Sequence, residues 1–301
     1  MNQIEIPRAS GSYRWYYVDV ASGPYTAVFI FMIGSVFSAR YSRALKRGAV
    51  PGEHAAINFA LYENGNRVAW ALSEYPHFQA DERSLRIGRS ELRYTSHGLR
   101  AEIHERTAPF FMTGWGSELN VQLELTNEGP SLDEVTLVEG LSHAWRPIAP
   151  RARATVKLEP LGLRLEGRAY HDGNHGLVPL GTDLKGWEWV RVHDEARTSI
   201  VYRPWSAAPA IVASISQDHA HSHRQHLPEE ARTRSAWGLR VPSSLGVRGQ
   251  PRWMESSPFY ARGEASFGCA HALGEVADFA RFHSPVVRWM ADFRTRAEAP
   301  P

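Results

Sequence analysis

The stretch LNVQLELTNEG, residues 119–129, alternates strictly: Val121, Leu123 and Leu125 fall on one side, Gln122, Glu124 and Thr126 on the other, before an Asn-Glu-Gly turn. A period of two marks a strand with one buried and one wetted face, because successive side chains leave a pleated backbone in opposite directions. The same grammar recurs in SLRIGRSELRYTSHGLRAEIHER, residues 84–106, whose alternating pieces break at Gly88 and at His97-Gly98. AAINFALYENGNRVAWALSE, residues 55–74, joins two apolar runs through Asn64-Gly65-Asn66, a strong hairpin signal. Further strands are expected in LGLRLEGRAY, WEWVRVH, RTSIVYRPW, PAIVASIS and AWGLRV, at the spacing of a barrel or sandwich. The predicted fold class is all-β.

A chain of 301 residues exceeds one ordinary small core and fits two domains of about 150 residues each. The Pro-rich passage WRPIAPRARATVKLEPLG, residues 145–162, has three prolines that should interrupt strand pairing, so the boundary is expected there, between a domain of residues 1–155 and one of residues 156–301. The segment GEVADFARFHSPVVRWMADF is ambiguous. Val276, Phe279 and Ala280 begin a helical face, Pro285 interrupts it, and PVVRWMADF reads equally well as a closing strand.

Composition narrows the function classes. With 43% hydrophobic and 22% charged residues and a net charge of +2, the chain is neither disordered nor a membrane bundle, and no block of Lys and Arg forms the stripe a nucleic acid needs. No nucleic-acid partner is expected. Cys269, the single cysteine, can build neither an internal disulfide nor a thiolate metal site, which fits a reducing, cytoplasmic setting. The opening MNQIEIPRAS lacks the basic and apolar regions of a signal peptide, and YTAVFIFMIGSVFSA, residues 25–39, is shorter than the about 20 residues of a membrane span and reads as a buried strand. RYSRALKRG, which follows, reads as a solvated surface turn, with peripheral membrane contact as the alternative.

Four polar or aromatic constellations stand out. In GRAYHDGNHG, residues 167–176, alternation sets Tyr170, Asp172 and Asn174 on one face and His171 and His175 on the other, between Gly167 and Gly173. Tyr170 and Asp172 would lie about 7 Å apart, close enough to act on one small group. The alternative is a polar strand end closed by an Asx-type turn. In GLSHAWRP, His143 and Trp145 share a face; the bland reading is a core-edge Trp beside a hydrogen-bonded His. SQDHAHSHRQH, with Asp218, His219, His221, His223 and His226, could group three imidazoles but shows no distant fourth ligand, so an exposed loop is expected and no metal site. Finally, Trp15 and Tyr17 share a face with Tyr13 and Asp19, while Trp187 and Trp189 flank Glu188. These aromatics suit a core, or the wall around a long apolar ligand or a passing carbocation.

Seven pieces in order, GSYRWYYVD, FMIGSVFSARY, EHAAINFALY, SHAWRPIAPRAR, GRAYHDGNHG, GWEWVR and SPFYARG, resemble the carotenoid 1,2-hydratase (hydroxyneurosporene synthase) family along nearly the whole chain. The resemblance implies two lipocalin-like β-domains side by side, a site at their junction and no cofactor. It also implies addition of water to the terminal C1=C2 bond of an acyclic carotenoid of the lycopene or neurosporene type, giving a tertiary 1-hydroxy product. The family's His-X-Trp and Tyr-X-Asp fall on His143, Trp145, Tyr170 and Asp172, the expected catalytic residues; Trp15, Tyr17, Asn174, Trp187 and Trp189 are the expected substrate-binding ones. Departures are His175 where the family has Glu, Val178 in place of an acidic residue before Pro179, and Glu53-His54-Ala55-Ala56 where the family has Asn-His-Cys-Ala. They keep two rivals open: a cyclase or pericyclase of another polyene or polyketide, and a carrier of an apolar ligand.

Hydrating an unactivated alkene requires a proton delivered to carbon and capture of the resulting tertiary cation by water. Asp172 is the expected acid, kept protonated by apolar surroundings. Trp145 and Tyr170 are expected to stabilise the cation, and a neutral His143 to hold the water or return the proton.

Overall fold

The computed structural model describes residues 2–108, 116–228, 232–242 and 252–297. Its architecture is two β-sheets packed side by side. The first has 13 strands and runs, edge to edge, through Arg296–Ala297, Asn66–Tyr75, Ala55–Glu63, Tyr25–Ile33, Tyr13–Ser22, Leu163–Gly176, Ala144–Leu158, Glu118–Asn127, Gly98–Arg106, Ser90–Tyr94, Ser84–Ile87 and Phe78–Ala80, with Val135–Thr136 paired beside Ala144–Leu158. The second has seven, in the order Ala220–Gln225, Ala210–Ile215, Thr198–Pro204, Gly186–His193, Ala270–Asp278, Tyr260–Phe267 and Arg252–Ser256. The expected all-β class is the one observed.

Alternation explains how one sheet serves two cores. The first sheet curls so that its outer strands close over its central ones, enclosing Phe29, Phe31, Ile57, Phe59, Leu92, Ile103 and Leu123. The strand Tyr13–Ser22 sends Tyr16, Val18 and Val20 into that core and Tyr13, Trp15 and Tyr17 out of its back, against Trp187, Trp189, Tyr202, Leu273 and Ala277 of the second sheet. Both faces of this strand are therefore buried, and each fully buried large apolar side chain contributes about 1.5–3 kcal/mol. Polar ties cross the same space: Asp19 pairs with Arg191, both fully buried, Thr26 Oγ1 donates to Glu264 at 2.9 Å, and Tyr62 donates to Glu255 at 3.0 Å.

The hairpin at Asn64-Gly65 has positive φ at both residues, 51° and 76°, as the tight turn between Ala55–Glu63 and Asn66–Tyr75 requires. The expected division at residues 155 and 156 falls inside the strand Ala144–Leu158, which pairs with Leu163–Gly176 in the first sheet. The chain crosses to the second sheet over residues 177–185. Pro147 and Pro150 do disturb the ladder, with register shifts between Pro147 and Ala149 and between Ala149 and Ala152, but such irregularities absorb residues that lack an N–H and the strand continues.

The ambiguous segment resolves into the strand Ala270–Asp278 followed by helices Phe279–Phe282 and Pro285–Arg294. Pro285 stands in the first helical turn, where its missing N–H has no helical partner to lose. Residues 39–47 form a short helix, Ala39–Ala44, and a 3-10 turn, Leu45–Arg47. Among the described residues no helix is long and apolar enough to cross a membrane.

Candidate active site

Strand register assembles the site between the two sheets. Leu163–Gly176 runs between Tyr13–Ser22 and Ala144–Leu158, so Asn174 lies opposite both Trp15 and Trp145, Asp172 opposite Tyr17 and Pro147, and Tyr170 opposite Asp19. The alternation read from GRAYHDGNHG is the one observed. Tyr170, Asp172 and Asn174 point toward the second sheet, whereas the buried His171 contacts Tyr94 Oη (3.0 Å) and the Tyr17 carbonyl (2.8 Å). His175 is half-buried, 3.3 Å from Arg14 and 3.4 Å from Glu134.

Asp172 is the centre of the constellation. Its Oδ2 accepts hydrogen bonds from Tyr170 Oη at 2.6 Å and Trp145 Nε1 at 2.8 Å, and its Oδ1 accepts from Asn174 Nδ2 at 3.2 Å. These bonds favour the carboxylate, yet burial outweighs them and pushes the carboxyl up to about 7, helped by the negative charges of Glu275 and Asp19. The group is thus an acid that exchanges its proton near neutrality.

His143 sits beyond this cluster. Its Nδ1 is 2.6 Å from Tyr13 Oη, its Nε2 is 3.5 Å from Tyr202 Oη, and its ring stacks on Trp187 at 5.4 Å and 25°. Gly176 makes room for Tyr13, since a Cβ there would lie 2.4 Å from the tyrosine hydroxyl. Burial pushes His143 down to about 3, so the imidazole is neutral and adds no positive charge beside the acid.

Two cavities meet at the aromatic wall. The larger, about 310 Å³, is bordered by Trp15, Tyr17, Met32, Trp70, Trp187 and Met290 among others. The smaller, about 30 Å³, is bordered by Asp172, Asn174, Tyr202 and Glu275 together with Trp15, Tyr17, Trp187 and Trp189. Trp15, Tyr17, Trp187 and Glu275 border both. All five expected substrate-binding residues therefore line cavity surface, and of the four expected catalytic residues Asp172 does. Trp145 and Tyr170 stand behind it as hydrogen-bond donors, both fully buried, and His143 lies behind the Trp15 and Trp187 rings.

Tyr202 and Glu275 escaped the sequence reading. The signal for each was present: Thr198, Ile200 and Tyr202 alternate on the buried face of one strand, and Glu275 occupies the slot between Leu273 and Ala277 on another. An acidic residue in an apolar register slot is the kind of anomaly that marks a site. His221 and His223 stack at 6.3 Å on the exposed edge strand Ala220–Gln225, and among the described residues no three His, Cys, Asp or Glu side chains converge on a metal-binding point.

Comparison with solved structures finds the same fold at 12% identity in a protein described as AttH of Nitrosomonas europaea (TM-score 0.53, 90% of this chain and 92% of that one). It is also found in CghA crystallised with Sch210972 (TM-score 0.52, 12% identity, 92% and 94%). Sequence comparison finds an acyclic carotenoid 1,2-hydratase of Thiocapsa roseopersicina, 31% identical over 94% of this chain and 73% of its own. One of Cereibacter sphaeroides is 30% identical over 88% of this chain and 96% of its own. The sequence model of the carotenoid hydratase CrtC family matches residues 29–299. With a match over that span, the chain belongs to the carotenoid hydratase CrtC family, enzymes of the hydro-lyase class.

Proposed function

We propose that the protein adds water across the C1=C2 double bond of an acyclic carotenoid of the lycopene or neurosporene type, with Asp172 as the acid. The observation that carries this reading is the meeting of a buried carboxyl with an apolar chamber: Asp172, pushed up to about 7 by burial, borders the small cavity that shares its aromatic wall with the large one. The terminal isoprenoid unit lies in the chamber. Asp172 gives its proton to C2, the π electrons form the new C–H bond, and C1 becomes a tertiary cation. Water then closes the C1–O bond and releases a proton. No electrons change hands, so side-chain acid and base chemistry is sufficient and the reaction needs no cofactor.

In this reading the roles divide differently from those expected of the two motifs. Trp145 and Tyr170 orient Asp172 and select Oδ2 as the doubly hydrogen-bonded oxygen, so they are positioning residues. The rings available to the cation are those on the cavity wall, Trp15, Tyr17, Trp187 and Trp189. A desolvated cation over such a ring gains about 2 kcal/mol or more. A positioned general acid supplies about 10²–10⁴-fold, so the remaining acceleration falls to this wall and to orientation. A neutral His143 keeps Tyr13 and the Trp187 ring in place without opposing protonation of the acid.

The substrate reaches the chamber from a membrane surface in this reading. Helix Pro285–Arg294 turns Val287, Met290 and Ala291 to the large cavity while Val286 and Trp289 are 64% and 62% exposed. Apolar side chains left outward on a helix that walls the chamber suit contact with lipid.

The test is expression in cells that accumulate lycopene, followed by pigment chromatography and mass measurement. The expected product carries the mass of one added water, and Asp172→Asn abolishes it while the protein remains folded. A product of unchanged mass indicates cyclisation, and activity retained in the variant removes Asp172 as the acid.

A further inference from the structure

The small cavity has a composition unlike the rest of the space between the sheets. It holds about 30 Å³, above the roughly 10–15 Å³ that a cavity needs to take up one water molecule. Around it stand the Asp172 carboxyl, the Asn174 amide, the Tyr202 hydroxyl and the Glu275 carboxylate, and a water needs two to four such partners. Tyr17 also borders it, is 5% exposed, and has a buried hydroxyl with no hydrogen-bond partner among the described residues. A buried hydroxyl without a partner, on a residue that borders a polar space large enough for water, is a donor in want of an acceptor.

Glu275 reaches this place by strand register. It pairs across the sheet with Trp189 on one side and Arg262 on the other, and it shares its face with Leu273 and Ala277, which pack against the first sheet. Arg262, 1% exposed, donates from Nε to Glu275 Oε1 at 2.9 Å and from Nη1 to Tyr62 Oη at 3.2 Å, and it lies 3.5 Å from Glu255. Arg262 thus holds the Glu275 carboxylate in place at the wall that both cavities share.

We propose that this cavity is the site of the nucleophilic water, held by Tyr17 and Glu275, and that Glu275 is the general base that takes the water's proton as C1 is captured. The proposal rests on the hydration reading and names the base that reading left open. After Asp172 has protonated C2, a lone pair of the water forms the C1–O bond, and one water proton passes to the Glu275 carboxylate. The next water to occupy the cavity carries that proton to the Asp172 carboxylate, restoring both groups. Alkene and water go in, tertiary alcohol comes out, and neither carboxyl is consumed. Acid and base lie on different sheets, so the catalytic pair exists only when the two sheets are packed together.

The test follows deuterium. In D2O the wild type should give the hydroxylated carotenoid with deuterium at C2. Glu275→Gln keeps the shape and removes the base, so hydration should fall about 10²-fold. The cation then reverts through Asp172, and each turn about the C2–C3 bond that presents the original hydrogen to its carboxylate leaves deuterium at C2 of the recovered alkene. Asp172→Asn should lose both hydration and exchange. Hydration at the wild-type rate in a Glu275→Gln variant with wild-type circular dichroism overturns the proposal. If the loss of charge beside Arg262 prevents folding, Tyr17→Phe decides: a fall in hydration of tenfold or more with exchange retained supports the water site, and unchanged hydration overturns it. A wild-type protein that neither hydrates nor exchanges overturns the hydration reading itself.

Discussion

The hydroxyl of Tyr170 donates a 2.6 Å hydrogen bond to Oδ2 of Asp172, two residues further along the same strand. Because the bond stabilises the ionised carboxylate, it works against the burial that raises the acid. Tyr170→Phe removes it and leaves Trp145 as the donor to that oxygen. The Asp172 carboxyl should then rise further. With Asp172 as the proposed acid, activity would depend on its protonated form, so the alkaline limb of the pH–rate profile should move to higher pH by about one unit, with kcat near pH 6 reduced less than tenfold. A limb that moves downward would show that the tyrosine serves another step.

Asp172 also makes folding stability depend on pH, with a sign opposite to that of most carboxylates. Its folded value, about 7, lies above the ordinary 3.8, so the folded state binds the proton more tightly than the unfolded chain. Stability is therefore lost as pH rises from about 4 to about 7. Asp172→Asn cannot ionise and escapes this loss. Relative to wild type, it should gain about 2–3 kcal/mol between pH 5 and pH 8, measured by urea unfolding at both values. His143 and His171, pushed by burial down to about 3 and about 4, destabilise both proteins as pH falls below their ordinary 6.5, and that contribution cancels in the difference. The variant should be inactive and, above neutrality, more stable.

Much of this site could be read from single strands and the remainder could not. Alternation within residues 167–176 separates Asp172 from His171, and alternation within residues 13–19 groups Trp15 with Tyr17, because period two is a property of one pleated backbone. That the Trp145 indole N–H reaches Asp172 depends on register between strands, including the shifts at Pro147 and Ala149, and no local pattern specifies it. The expected domain boundary at residues 155 and 156 falls inside the strand Ala144–Leu158 for the same reason. Prolines signal an interrupted ladder, and the chain uses them to bend a strand it then continues. Glu275 was missed because the residues after it read as the start of a helix; the helix begins only at Phe279, and Ala270–Asp278 is a strand whose inner face carries the Glu275 carboxylate.

Asp19 and Arg191 form a fully buried ion pair between the sheets, two residues along their strands from Tyr17 and Trp189. Arg191→Met should destabilise the protein by about 3–5 kcal/mol, because Asp19 is left buried without its counter-charge. Burial already pushes the Asp19 carboxyl up even with arginine present, so it should take up a proton in the variant. The double replacement Asp19→Leu with Arg191→Met removes both charges and should recover most of the loss, and unfolding curves for the two singles and the double give the coupling. Recovery of stability without recovery of activity would show that the pair fixes the spacing between Asp172 and the opposite wall as well as holding the sheets together.

Trp187 and Trp145 offer the sharpest contrast between a ring that faces the cation and a ring that orients the acid. Trp187 borders both cavities and packs at 5.9 Å from Trp15 and at 4.8 Å from Phe279, so in the proposed mechanism its indole lies beside the C1 cation. Trp187→Leu keeps an apolar surface but loses the π face. If that face contributes about 2 kcal/mol to the cation, kcat should fall about 30-fold while KM changes little, since the neutral substrate has no charge for the ring to attract. Trp145→Phe should behave otherwise. It keeps a ring in a fully buried position but deletes the N–H bonded to Asp172 Oδ2, so its main effect should be an upward shift of the alkaline limb, like that of Tyr170→Phe. Steady-state kinetics across pH for the two variants separates the roles: a pH-independent fall in kcat belongs to the wall, and a displaced limb to the support of the acid. The reverse assignment would place the cation over Trp145 and make the cavity wall a packing surface.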